Sequence, residues 1–203
     1  MDRLVVGFDF DMTLADTRPG IAAAFDELSR RTGVPIDSAA VTSRIGPPLA
    51  TEMANWFPAE RIGEMVTLYR SFYADFAVET SPLLPGAAEA FAAVRDHAGT
   101  IMVVTSKLAR LAQLHLDHLG LKPDVLVGDA FGDGKAPALR ENHASVYVGD
   151  HLGDVRAARA AGCLSVAVAT GPIPAAELRA AGAGVVLDDL TAFPAWLVEH
   201  LAT

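Results

Sequence analysis

The sequence predicts an α/β protein in which a parallel sheet is flanked by helices and a small all-α region is inserted after the first strand. From about residue 85 onward, short apolar runs alternate with helix-length segments. That alternation is typical of parallel strands joined by right-handed crossovers. Residues 37–80 contain no convincing strand pattern, whereas residues 4–8 form an apolar run expected of a strand buried on both faces.

A helix is expected to follow the first strand almost at once. Asp16 or Thr17 is predicted to occupy its N-cap position, because both side chains accept hydrogen bonds from a first helical turn. Pro19 suits that first turn, and Gly33 is expected to end the helix. This predicts a first helix over about residues 19–32.

The inserted region has its own apolar pattern. Helices are expected around residues 49–56 and 61–76. Aromatic residues in the second of these segments recur at spacings of three and four, which favours a core stripe of a small helical bundle over an aromatic binding platform. The composition changes at the Pro- and Leu-rich residues 81–86. We therefore predict an α/β core domain formed by residues 1–16 and 82–203, and a helical insert of residues 17–81.

The rest of the chain alternates between the two apolar periods that distinguish helices from strands. Helices are predicted at residues 85–98, 108–119, 155–161, 174–181 and 192–201. Strands are predicted at residues 100–105, 125–127, 144–148, 164–168 and 185–187.

Composition narrows the functional classes. The chain has 203 residues, of which 51% are hydrophobic, and a formal net charge of −9. Because it has no run of Lys or Arg, a nucleic-acid polymer is a poor candidate partner, although a small phosphate could still bind where a few cations meet it. No apolar stretch approaches the length of a membrane span, so no membrane association is expected. Its single cysteine, Cys163, and the lack of a signal-peptide pattern predict a cytoplasmic location.

Two aspartates follow the first strand, one residue apart. Asp9 and Asp11 would point the same way if the chain stayed extended, and two ionised carboxylates that close repel each other. Such a pair is tolerated if solvent screens it, if one group is protonated, or if a cation lies between them. A solvated turn is one interpretation. The other is a metal and a reacting group at the carboxyl end of a strand, where open α/β sheets bind ligands.

Three later segments also place polar residues just after predicted strands or before helices. Thr105 and Ser106 end a strand and suit an anion site, although capping of the next helix is the more common role of such residues taken alone. Lys135, one of only three lysines, follows Gly134 and is either a phosphate-neutralising or a surface residue. Asp150 and Asp154 lie four apart, so one helical turn would place them on one face and give a second acidic cluster suited to Mg²⁺. Alternatively, Asp150 is an N-cap residue.

Together these segments form the pattern DxDxT, a strand-end Thr, a lone Lys and GDxxxD, in that order. The set resembles the four motifs of the haloacid dehalogenase-like hydrolase superfamily. The Ile-Gly-Pro-Pro-Leu stretch at residues 45–49 and Pro85-Gly86 are similar to its phosphoglycolate phosphatase-like branch. The resemblance covers the whole chain and implies a Rossmann-like core, with residues 17–81 as a small helical cap. Two departures are Met12 and Ser106, which stand where Gly and Asn are common in the family.

The resemblance also implies a mechanism. Asp9 is expected to attack phosphorus, and Asp11 to act as general acid and base while its backbone carbonyl binds the metal. Mg²⁺ is the implied cofactor. The implied metal and phosphate sites contain Asp9, Asp11, Asp150 and Asp154 for the metal, and Thr105, Ser106 and Lys135 for the phosphoryl group.

The leading interpretation is a Mg²⁺-dependent phosphatase acting on a small phosphorylated metabolite. Asp11 argues against a 2-haloacid dehalogenase, which lacks the second aspartate, and the lack of lysine in residues 17–82 argues against a phosphonoacetaldehyde hydrolase. A β-phosphoglucomutase-like phosphomutase keeps all four motifs and remains an alternative, as does a non-enzymatic interaction protein. Arg44 is a candidate for holding the far end of the substrate. A monomer or a homodimer is expected.

Overall fold

The core of the protein is a parallel sheet at whose centre the first strand lies. The computed structural model describes residues 3–202; residues 1, 2 and 203, which the predicted core segments include, lie outside the described residues. Across the described range, six strands pair in the order β3-β2-β1-β4-β5-β6, all parallel. The strands are β1 Val5–Phe8, β2 Thr100–Val104, β3 Val125–Val127, β4 Val146–Gly149, β5 Leu164–Val168 and β6 Val185–Leu187.

Helices connect the strands, as the alternating pattern predicts, so the predicted α/β fold class is confirmed. They are α1 Arg18–Thr32, α2 Ser38–Thr42, α3 Leu49–Met53, α4 Ile62–Ala77, α5 Ala87–Asp96, α6 Ala109–Leu119, α7 Ala136–Glu141, α8 Leu152–Ala161, α9 Ala175–Ala180 and α10 Phe193–Leu201. Within the described part of the chain, no helix is both long and apolar enough to cross a membrane.

Strand β1 is buried along its whole length between β2 and β4. Val5 pairs with Thr100 of β2, and Phe8 pairs with Val148 of β4. Because all strands run the same way, the carboxyl ends of β1, β2 and β4 meet at one edge of the sheet. The residues that follow these three strands are therefore brought close together.

The start of α1 differs in detail from the prediction. Thr17 occupies the N-cap position, but its hydroxyl makes no capping hydrogen bond and is buried. Asp16 instead accepts a hydrogen bond from the backbone N–H of Arg18, 3.1 Å away. The end of the helix is as predicted, since Gly33 adopts a left-handed conformation with φ of 71°.

Residues 17–81 form helices and turns with no strand. The aromatic stripe of α4 packs against α1, so the predicted helical core is confirmed: Tyr69 lies 4.8 Å from Phe25, measured between ring centroids. Leu111 of α6 joins the same apolar cluster, so this core also contacts the sheet domain. The predicted helix at 49–56 is shorter than expected, because α3 ends at Met53.

Candidate active site

The carboxyl edge of the sheet collects three buried carboxylates around one lysine. Asp9 directly follows β1, Asp150 directly follows β4, and Asp154 lies in the first turn of α8. One carboxylate oxygen from each lies within 4.8 Å of the others. Lys135 places its Nζ 3.0 Å from Asp9 Oδ2 and 2.7 Å from Asp154 Oδ1.

The electrostatics of this cluster are unbalanced. Burial raises the pKa of Asp9 to about 7, although the charge of Lys135 opposes this shift. Burial also raises the pKa of Asp150 well above its ordinary value, and the neighbouring Asp154 adds to that shift. The single ammonium of Lys135 therefore does not offset the effect of burial on the pKa of Asp9 and of Asp150. Clustered carboxylate oxygens are the donors that Mg²⁺ prefers, so this donor set fits a divalent cation.

Lys135 is held rigidly in place. Its side chain is 1% exposed, and its ammonium also donates to the Tyr147 hydroxyl over 2.8 Å. That hydroxyl in turn donates to the Val104 carbonyl, also over 2.8 Å. The surface-lysine interpretation of Lys135 is therefore wrong.

Local turns fix the two acidic residues of the GDxxxD segment. His151 is the N-cap residue of α8, and its ring accepts a hydrogen bond from the Gly153 N–H over 3.0 Å. Asp154 Oδ2 accepts from the His151 N–H over 3.1 Å. Asp150 therefore precedes the helix instead of sharing a helical turn with Asp154, and its N-cap interpretation is wrong. Its carboxylate instead accepts from the Thr13 hydroxyl over 2.9 Å.

Asp11 lies outside this cluster and has its own lysine. Strand β1 ends at Phe8, so the premise that the chain stays extended through both aspartates does not hold. Lys107 Nζ lies 3.0 Å from Asp11 Oδ1 and donates to the Tyr73 hydroxyl of α4 over 2.8 Å. The structure thus separates the two carboxylates of the DxDxT segment by pairing each with a different cation.

Thr105 and Ser106 lie at the end of β2, beside these groups. Thr105 is fully buried, and its hydroxyl accepts a hydrogen bond from the Lys107 N–H over 3.2 Å. The Ser106 hydroxyl donates to the Gly46 carbonyl of the helical region over 3.0 Å. Ser106, which stands where the family often has Asn, therefore still links the core to residues 17–81.

Arg44 lies on the wall of a cavity that also contains Asp11 and Lys107. Its guanidinium forms two hydrogen bonds to Glu52, with distances of 2.6 Å from Nη2 to Oε1 and 3.2 Å from Nε to Oε2. The arginine is therefore next to the expected site, but another side chain already engages it.

Three residues of this site were not predicted from the sequence. Lys107 contacts Asp11, and Tyr73 in turn holds Lys107. Gly171 lies against Asp150, where an added Cβ would come 1.8 Å from Oδ2. The rarity of lysine was a usable signal for Lys107, because only three lysines exist in the chain and one directly follows Thr105-Ser106. Tyr73 and Gly171 carry no comparable local signal.

Comparison with known proteins agrees with this geometry. The chain belongs to the haloacid dehalogenase-like hydrolase family, whose model matches residues 6–159. Phosphoglycolate phosphatase of Chromobacterium violaceum is 29% identical over 197 residues, covering 86% of this chain and 89% of that protein. The plasmid phosphoglycolate phosphatase of Cupriavidus necator is 32% identical over 209 residues, covering 93% and 90%. The similarity to the phosphoglycolate phosphatase-like branch is therefore confirmed.

The fold is also shared with solved structures. A haloacid dehalogenase-like family hydrolase from Streptococcus pneumoniae superposes with a TM-score of 0.84 at 24% identity, covering 96% of this chain and 98% of that one.

Proposed function

We propose that this chain is a Mg²⁺-dependent phosphatase that hydrolyses a small phosphomonoester through an aspartyl-phosphate on Asp9. The observation that carries the proposal is the buried cluster of Asp9, Asp150 and Asp154 around Lys135, at the carboxyl edge of the sheet. Relatives named phosphoglycolate phosphatase support the reaction class.

Each step is assigned to a group of this chain. The Asp9 carboxylate attacks phosphorus, the ester P–O bond breaks, and Asp11 gives its proton to the leaving oxygen. Asp11 then takes a proton from water, which attacks the aspartyl-phosphate, releases phosphate and restores Asp9. Thr105 and the Ser106 N–H hold the phosphoryl oxygens, and Lys135 offsets their negative charge.

Asp9, Asp150, Asp154 and the Asp11 backbone carbonyl would hold Mg²⁺, which supplies positive charge to the acidic cluster and to the phosphoryl group. We assign residues 17–81 the role of a cap over the reacting groups, because the Ser106–Gly46 and Lys107–Tyr73 hydrogen bonds join this region to the sheet edge. A cap of this kind keeps bulk water from the reaction. The cytoplasmic location and the monomeric or homodimeric state stay predictions.

The decisive experiment assays a panel of phosphate monoesters with Mg²⁺, with EDTA, and with Asp9→Asn. Loss of the nucleophile is expected to lower kcat by at least about 10³-fold, and EDTA is expected to abolish turnover. The matched control is Asp75→Asn, which makes the same chemical change at an exposed position of α4.

Activity that survives EDTA or Asp9→Asn would contradict the mechanism. Conversion of a hexose 1-phosphate to its 6-phosphate would identify a phosphomutase. A well-folded protein that hydrolyses no ester would support a non-enzymatic interaction protein.

A further inference from the structure

Tyr73 of α4 connects the helical region to the proposed general acid through one lysine. The tyrosine is 2% exposed, and its hydroxyl accepts a hydrogen bond from Lys107 Nζ over 2.8 Å. The same Nζ lies 3.0 Å from Asp11 Oδ1. On the other side of the tyrosine, His115 of α6 places its Nε2 3.2 Å from the hydroxyl. These four side chains form a continuous row of polar contacts, in which Tyr73 is the member that comes from the helical region.

The chemistry of these groups fixes the direction of the hydrogen bonds. An ammonium has no acceptor, so Lys107 donates to the Tyr73 hydroxyl. The hydroxyl proton is then directed to His115 Nε2, the acceptor within reach among the described residues. Burial, and secondly the charge of Lys107, lower the pKa of His115 to about 4, so its ring is neutral at pH 7 and accepts that proton. Tyr73 is therefore held with its hydroxyl lone pairs towards Lys107.

The same rule places the proton of Asp11. Its Oδ1 is buried and faces an ammonium that can only donate. A protonated Oδ1 would direct one donor at another, so the proton of Asp11 belongs on Oδ2. The side chain keeps 12% of its surface exposed and lines the cavity between the helical region and the sheet edge. The oxygen that Lys107 leaves unengaged is thus the one that carries the proton.

During the proposed reaction, Lys107 loses and regains its charged partner. Asp11 is neutral while it carries the proton and negative after it has given the proton to the leaving oxygen. Among the described residues, Asp11 is the carboxylate that pairs with Lys107, so the neutral state of Asp11 offers the ammonium no counter-charge. The Tyr73 hydroxyl is an acceptor in both states. It therefore holds the lysine beside Oδ1 when the attraction of a carboxylate is absent.

We propose that Tyr73 is a positioning residue for the general acid. Its hydroxyl keeps Lys107 against Asp11 Oδ1 in both protonation states, and this contact keeps Oδ2 directed towards the leaving oxygen. As the ester P–O bond breaks, its electron pair passes to that oxygen, which takes the proton from Oδ2. The inference rests on the proposed phosphatase function and assigns part of its acid step to the helical region. The acid is therefore in position only while that region is packed against the sheet edge.

The test separates esters that need a proton from one that does not. An alkoxide is a poor leaving group and needs the acid, whereas acetate leaves acetyl phosphate as a stable anion. For Tyr73→Phe, we expect kcat/KM for the alkyl monoester that the wild type hydrolyses fastest to fall by at least about tenfold, out of the roughly 10²–10⁴-fold that such an acid contributes. For acetyl phosphate we expect a change of less than about twofold, because kcat/KM reports only the steps up to loss of the leaving group.

The control is Ser71→Ala, which removes a hydroxyl from an exposed position of the same helix. It should leave both kcat/KM values as in the wild type. An equal fall for both esters in Tyr73→Phe would indicate a general loss of structure, and no fall for either would show that Lys107 keeps its place unaided. Each of these results overturns the inference and leaves the phosphatase function standing. A wild type that hydrolyses no alkyl monoester would refute the phosphatase function, and the inference with it.

A second substitution tests the route through the lysine and needs only the alkyl ester. Lys107→Met removes the ammonium, so adding Tyr73→Phe to it should lower kcat/KM by less than about a further twofold. Urea unfolding shows whether each variant is folded. A further fall as large as the one that Tyr73→Phe causes in the wild type would mean that the tyrosine acts independently of Lys107, and would overturn the inference.

Discussion

His115 is expected to make the stability of this protein fall as the pH is lowered. It lies fully buried on α6, with Nε2 3.2 Å from the Tyr73 hydroxyl and its ring centroid 5.3 Å from that of Phe10. Among the described residues its Nδ1 has no hydrogen-bond partner. Burial, and secondly the nearby charge of Lys107, lower the pKa of this imidazole from 6.5 to about 4.

The sign and the size of this stability change follow from the difference in proton binding between the unfolded and folded states. The unfolded chain protonates this histidine near pH 6.5, whereas the folded protein resists protonation until about pH 4. The unfolded state therefore binds more protons in this window, and the stability contributed by His115 is complete above pH 6.5 and is lost as the pH falls towards 4. Between pH 7.5 and 5.0 the loss is about 2 kcal/mol in the free energy of unfolding.

The assay is urea unfolding at pH 7.5 and 5.0 of the wild type and of His115→Phe, which keeps an aromatic ring but cannot titrate. The raised pKa of Asp9 changes the stability of the metal-free protein with pH in the opposite direction. The quantity compared is therefore the change in the free energy of unfolding between the two pH values, in the wild type and in the variant. His115→Gln serves as a second non-titrating variant, and His97→Gln as a control at an exposed histidine. If the stability of His115→Phe depends on pH as that of the wild type does, the reasoning that His115 is buried in its neutral form is refuted.

Two further substitutions test the acidic cluster. Lys135→Met leaves three buried carboxylates without their ammonium and should lower the free energy of unfolding by about 3–5 kcal/mol, with partial recovery when Mg²⁺ is added. The measurement is urea unfolding with and without Mg²⁺, and a small decrease in stability that Mg²⁺ does not change would contradict this. Gly171→Ala places a Cβ 1.8 Å from Asp150 Oδ2. It should weaken Mg²⁺ binding, measured by calorimetry, by at least about tenfold, with an unchanged circular dichroism spectrum. An affinity equal to that of the wild type would show that the loop moves without displacing Asp150.

Much of the fold could be predicted because apolar periodicity reflects burial. Strand β1 reads as a continuous apolar run because β2 and β4 cover both of its edges and helices cover its faces. Helix α2, by contrast, has five residues and a single buried side chain, Val41, so it shows no repeating pattern to detect. Helix α7 is similarly short and was also missed.

The candidate site was predictable where the topology of the parallel sheet determines contacts. Asp9 and Asp150 follow neighbouring parallel strands, so their proximity follows from topology. The partner of Asp11 was not predictable in this way. Lys107 is anchored by Tyr73, which reaches it from a helix 34 residues earlier in the chain, and no local pattern encodes that contact.

The two lysine contacts together explain how one short segment can provide two carboxylates with different chemistry. Around Asp9, three carboxylates face one ammonium, which leaves two negative charges when all are ionised and matches the charge of one divalent cation. Around Asp11, a single carboxyl group faces Lys107, so its side chain offers no excess negative charge to a metal. Environments that differ in this way are what assign separate roles to neighbouring acids. In the proposed mechanism, this difference gives Asp9, beside the cation, the role of nucleophile, and gives the Asp11 side chain the exchange of a proton with the leaving oxygen.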